Sequence, residues 1–122
     1  MANKPRILIA DDEEGIRESL KLILEGEYEL VFVQQGEETL AKLARERFDL
    51  ALLDIKMPKI DGLEILKQMK HQRLATPVII LTAYQSVELA KEAIKLGALD
   101  YLPKPFTRDQ ILESIHGALT ER

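Results

Sequence analysis

The chain has 122 residues, of which 46% are hydrophobic and 31% charged, with no cysteine and a formal net charge of −4 at pH 7. That length suits one domain, expected over residues 1–122 and able to bury about two-thirds of the surface its unfolded form exposes, while zero cysteines exclude a disulfide framework and a thiolate metal site. The acidic balance argues against nucleic-acid binding by this chain, and with no long apolar run and no hydrophobic core in the N-terminal "MANKPR" the expectation is a cytoplasmic protein with no membrane role.

Short apolar runs recur at Ile7 to Ala10, Leu30 to Val33, Leu50 to Leu53 and Val78 to Leu81, with a weaker one at Tyr101 and Leu102. Continuous rather than alternating runs predict strands covered on both faces. Helical spacing separates them: Ile16, Leu20, Ile23 and Leu24; Leu40, Leu43 and Ala44; Leu63, Leu66 and Met69; Val87, Ala90 and Ile94; Ile111, Ile115, Ala118 and Leu119. Each set predicts one buried stripe. Asp61-x-x-Glu64 and Thr107-x-x-Gln110 are capping-box patterns for the third and fifth helices, and Gly26 and Gly97 stand where a helix would close on a left-handed residue. Five β-α repeats predict an α/β fold, a doubly wound five-stranded parallel sheet of (βα)5 type, because parallel neighbours need crossover connections.

Open sheets of this kind bind ligands beyond the carboxyl ends of their strands. The candidates there are Asp11 and Asp12, Gln34 to Gly36, Asp54, Thr82 and Lys104. By itself "DDEE" at 11–14 reads equally well as acidic capping of a helix N-terminus. In the flavodoxin-like order 2-1-3-4-5, however, strand one lies beside strand three and Asp54 joins the pair. At about 4 Å each carboxylate pair would repel by roughly 4 kcal/mol at an effective dielectric near 20, more than capping returns. A cation would relieve the repulsion, and hard oxygen ligands without nearby His or Cys favour Mg2+ or Mn2+ over zinc. Asp54 precedes "IKMPKIDG", where Pro58 and Gly62 enforce a loop and leave the carboxylate at an exposed rim, able to act as a nucleophile. His71 and His116 fall on helices away from these ends and read as solvated.

The segments "ILIADDE", "LALLDIKMPKIDGLEIL", "VIILTAY" and "KLGALDYLPKPF" together resemble the receiver domain of bacterial two-component response regulators. The run "TAYQSVELAKEAIKLGALDYLPKPF" resembles receivers attached to σ54-dependent activators. The resemblance implies that Asp54 is the phosphoacceptor, that Asp11, Asp12, Asp54 and the backbone carbonyl of Lys56 hold Mg2+, and that Lys104 bridges to the phosphoryl group. It also makes Thr82 a hydroxyl that turns toward that group, Tyr101 an aromatic switch position and Pro105 a cis-proline candidate. The implied function is signalling rather than enzymatic turnover, beyond self-catalysed phosphotransfer and autodephosphorylation. Implied partners are a sensor histidine kinase and an output domain or downstream protein, through a face made by the fourth helix, fifth strand and fifth helix that also suits a homodimer.

Three other functions are weighed against this. A flavin or nucleotide carrier would need glycines and hydroxyls after strand one, where "DDEE" would repel phosphate. An Asp-nucleophile phosphatase of the haloacid-dehalogenase type would carry Asp-x-Asp there, and this chain has Asp11-Asp12-Glu13 with no cap domain. A receiver-like interaction module that is never phosphorylated would be expected to lack a site residue, and none is missing.

Overall fold

The computed structural model describes residues 4–57, 60–83 and 86–120. Pro58, the proline of the predicted loop, lies outside them. The element order is β1(Arg6–Ala10), α1(Glu14–Leu24), β2(Glu29–Val33), α2(Gly36–Arg45), β3(Leu50–Asp54), α3(Gly62–His71), β4(Val78–Thr82), α4(Val87–Lys95), β5(Asp100–Pro103) and α5(Arg108–Thr120). The strands form one sheet in the order β2-β1-β3-β4-β5, every neighbouring pair parallel. This is the predicted doubly wound arrangement.

Side chains alternate across each strand, so every run feeds two cores. Leu8, Ala10, Ala51, Leu53, Val78 and Ile80 face α2, α3 and α4, where Leu43, Ile65, Leu66, Met69 and Ala93 cover them. Ile7, Ile9, Leu50, Leu52, Ile79 and Leu81 face α1 and α5, beneath Leu20, Leu24, Ile111, Ile115 and Ala118. With helices on both faces no central strand position can be polar until the strand ends, which is why the polar residues collect at the rim.

Three helix readings need correction. In α4, Val87 and Ile94 are 66% and 49% exposed, and the buried residue is Ala93, flanked by half-buried Leu89 and Leu96. The helix carries two apolar diagonals, the second running through half-buried Ala90, and the spacing alone does not choose between them. In α2, Ala44 is exposed and Thr39 is buried instead, its hydroxyl donating to the Gln35 carbonyl at 2.8 Å. Gly26 does not end α1 in a left-handed conformation, because Glu27 and Tyr28 both donate to the Leu24 carbonyl and carry the chain onward in a right-handed turn. Gly97 does adopt it, with φ 110°, its N–H donating to Ile94 and that of Ala98 to Ala93. α3 closes in the same way on Arg73, a residue without glycine's freedom, at φ 58°.

One capping box forms in full and the other only at its N-cap. Thr107 and Gln110 exchange side-chain to backbone bonds at 3.1 and 2.8 Å, whereas Asp61 accepts from the Glu64 amide at 2.9 Å and the Glu64 carboxylate turns to Gln68. The next residue, Gly62, presses on the end of β3: its N–H donates to the Ile55 carbonyl at 2.7 Å, and a β-carbon there would lie 2.6 Å from the Asp54 carbonyl oxygen. Gly62→Ala is therefore expected to lower stability by about 1–3 kcal/mol by forcing backbone apart, measurable by urea unfolding. An unchanged midpoint would contradict this close approach.

Candidate functional site

The register sets out the rim. Ala10 pairs with Val33 on one side and Leu53 on the other, Asp54 pairs with Leu81, and Thr82 with Pro103. Asp11, Asp54, Thr82 and Lys104 thus stand at the carboxyl ends of four adjacent strands. Each is buried, Asp54 among them although its following loop suggested an exposed rim, because Lys104 and the neighbouring strand ends close over it, while Asp12 is exposed.

Lys104 ties these ends together. Its backbone N–H donates to the Thr82 carbonyl at 2.7 Å, its bond to Pro105 is cis, and its side chain reaches across β4 and β3. The ammonium donates to Asp11 Oδ2 at 2.7 Å, Glu13 Oε1 at 2.8 Å and Asp54 Oδ2 at 3.1 Å. Asp11 Oδ1 accepts the Glu13 amide at 2.9 Å, and Asp54 Oδ1 accepts the Lys56 amide at 3.2 Å. Capping does not explain Glu13, which sits at the N-cap of α1 without a side-chain cap hydrogen bond.

One oxygen from each of Asp11, Asp12 and Asp54 falls within a 4.8 Å span. Three hard oxygen donors, one buried pair and one exposed residue, fit a magnesium-type ion that retains water. Beside them opens a cleft lined by Asp12, Glu13, Asp54, Lys56, Met57, Thr82 and Ala83. Burial is the largest influence on the Asp54 carboxyl and pushes its pKa up, with Lys104 opposing. Burial alone would weaken the Lys104 ammonium, but its bonds to Asp11, Glu13 and Asp54 outweigh that and raise its pKa.

Gln34 and Gln35 are exposed at the end of edge strand β2 and do not join the cluster, and Gly36 instead packs against Ile60. Tyr101 is half-buried on β5, on the sheet face that α4 covers, where burial raises its phenol pKa and the Ser86 backbone opposes the shift. His71 and His116 are exposed. Glu13 was not a sequence candidate: its neighbours carried the acidic signal, and only its tertiary reach to Lys104 distinguishes it.

The model of the response regulator receiver domain matches residues 7–116. The chain belongs to this family. The transcriptional regulatory protein ZraR of Salmonella typhimurium strain LT2 is 40% identical over 114 residues, which cover 93% of this chain and 26% of ZraR. Response regulator MprA of Mycolicibacterium vanbaalenii is 38% identical over 115 residues, covering 93% and 50%. This receiver chain thus spans a quarter to a half of the length of those curated relatives. A crystal structure of a CheY-like response regulator receiver domain protein from Methanospirillum hungatei JF-1 shares 39% identity and aligns with a TM-score of 0.90, over 98% of this chain and 96% of that one. Among the described residues no helix is long and apolar enough to cross a membrane.

The raised Asp54 pKa has a stability consequence. An acid whose folded pKa lies above its unfolded value makes the fold bind more protons, so stability falls as pH rises from about 3.9 through the folded value. Asp54→Asn removes that ionisation and leaves Lys104 with Asp11 and Glu13. The metal-free variant is expected to melt a few degrees higher at neutral pH by calorimetry, and a lower melting temperature would contradict the assignment.

Proposed function

We propose that this receiver domain takes a phosphoryl group from a sensor histidine kinase onto Asp54, with Mg2+ or Mn2+ held by Asp11, Asp12, Asp54 and the backbone carbonyl of Lys56. The observation that carries the reading is the junction of three carboxylates within 4.8 Å with one ammonium bonded to both buried members. An Asp54 oxygen attacks phosphorus, a new P–O bond forms, and the bond from phosphorus to the donor breaks with its electron pair leaving on the donor. Lys104 keeps its proton and supplies positive charge beside the incoming oxygens, which a fixed group does without reorganising. When bound, the metal supplies further charge neutralisation at the phosphoryl oxygens.

Phosphorylation adds charge and acceptor oxygens where Thr82 and Lys104 end their strands. In this reading the Thr82 hydroxyl turns toward the phosphoryl group, Tyr101 responds, and the face of α4, β5 and α5 is remodelled for an output domain, a downstream protein or a second copy. The likeness to ZraR, a transcriptional regulatory protein, supports transcription as the controlled process, in line with the resemblance to receivers of σ54-dependent activators. Kinase access and this chemistry suit the cytoplasm. The domain remains a phosphoacceptor rather than a turnover enzyme.

Treatment with acetyl phosphate and Mg2+ is expected to add one phosphoryl group by mass spectrometry, with the label lost on chelation and in Asp54→Asn. Full labelling of that variant would overturn the assignment. With beryllofluoride and Mg2+, amide NMR shifts are expected to concentrate between Thr82 and Arg108; changes confined to α1 and α2 would reject the output face.

A further inference from the structure

Lys104 has three N–H donors, and three carboxylates take all of them. A phosphoryl oxygen can bind this ammonium only by displacing one. Asp11 is poorly placed to leave, since its side chain is 1% exposed and its other oxygen is held by the Glu13 amide. Asp54 is itself the group that becomes phosphorylated. Glu13 differs from both, with its side chain 58% exposed and water available to replace the bond it gives up. Its position adds a second observation. Glu13 is the N-cap of α1, where a side chain ordinarily accepts from the first helical turn, yet it makes no such bond and reaches Lys104 instead.

We propose that Glu13 is a positioning residue for the phosphoryl group: it occupies the third donor of Lys104 in the resting domain and is the partner that the incoming phosphoryl oxygen displaces. Glu13 thereby keeps the ammonium aimed at Asp54 while setting a threshold against phosphorylation. The inference rests on the phosphoacceptor reading of Asp54. Glutamate serves this purpose because its length spans from the first residue before α1 to the end of β5 and because its charge competes with phosphate for the same cation.

The test compares wild type, Glu13→Gln, Glu13→Ala and, as a control for general charge, Glu14→Gln, which alters an exposed acid one residue away. Two quantities are measured by fluorescence or NMR titration, the affinity for Mg2+ alone and for beryllofluoride at saturating Mg2+, together with the initial rate of labelling by acetyl phosphate. A partly exposed ion pair of this kind is expected to shift beryllofluoride affinity and labelling rate upward by about two- to fivefold in Glu13→Ala, with Glu13→Gln between it and wild type. Mg2+ affinity should change by a smaller factor, and Glu14→Gln should match wild type. Unchanged beryllofluoride affinity in both Glu13 variants, an equal change in Glu14→Gln, or an equal change in Mg2+ affinity would each overturn the proposal. Failure of the wild type to label would instead reject Asp54 as phosphoacceptor, and this inference with it.

Discussion

One buried ammonium holds this structure's functional end together. Two of its three carboxylate partners are almost entirely out of water, and like charges at that depth would drive the strand ends apart without a cation between them. Lys104 supplies that cation from the far end of the sheet, 93 residues from Asp11 in sequence. Its own charge is secured by the same contacts, which outweigh the cost of its burial.

The sheet order makes this possible. Because β1 lies between β2 and β3, the first strand delivers its acids next to Asp54, and β4 and β5 follow in sequence to bring Thr82 and Lys104 alongside. The rim is therefore a product of topology, and its rigidity comes from backbone contacts beneath it. The Lys104 amide bonds to Thr82, Asp11 bonds to Val33, and Gly62 rests against the Asp54 backbone. A site held by strand ends in this manner is preorganised in position.

Much of this was legible in the sequence because the signals were redundant. Apolar runs, helical spacing and capping residues all pointed to (βα)5, and strand-end placement then named Asp11, Asp12, Asp54, Thr82 and Lys104 without reference to contacts, together with Gln34 to Gly36, which stand at the edge strand and stay outside the cluster. What was not legible depended on tertiary choice. Glu13 differs from its acidic neighbours only in where its side chain reaches, and Gly26 resembles Gly97 in sequence while the chain around it needs no left-handed turn. Arg73 shows the converse, a left-handed helix end at a residue that gives no such sign.

The exposed diagonal of α4 has a consequence for how that helix is oriented. Its inward set, Leu89, Ala93 and Leu96, and the second set, exposed Val87 and Ile94 with half-buried Ala90, differ in composition by a single methylene group. Burying one set rather than the other therefore changes the transfer free energy by only about 0.8 kcal/mol. So slight a preference leaves the azimuth of the helix to be decided at its two ends, by the Ser86 hydroxyl that accepts from Leu89 and by the left-handed closure at Gly97. In hydrophobic terms α4 is nearly degenerate under rotation, a cylinder registered by its caps more than by its side.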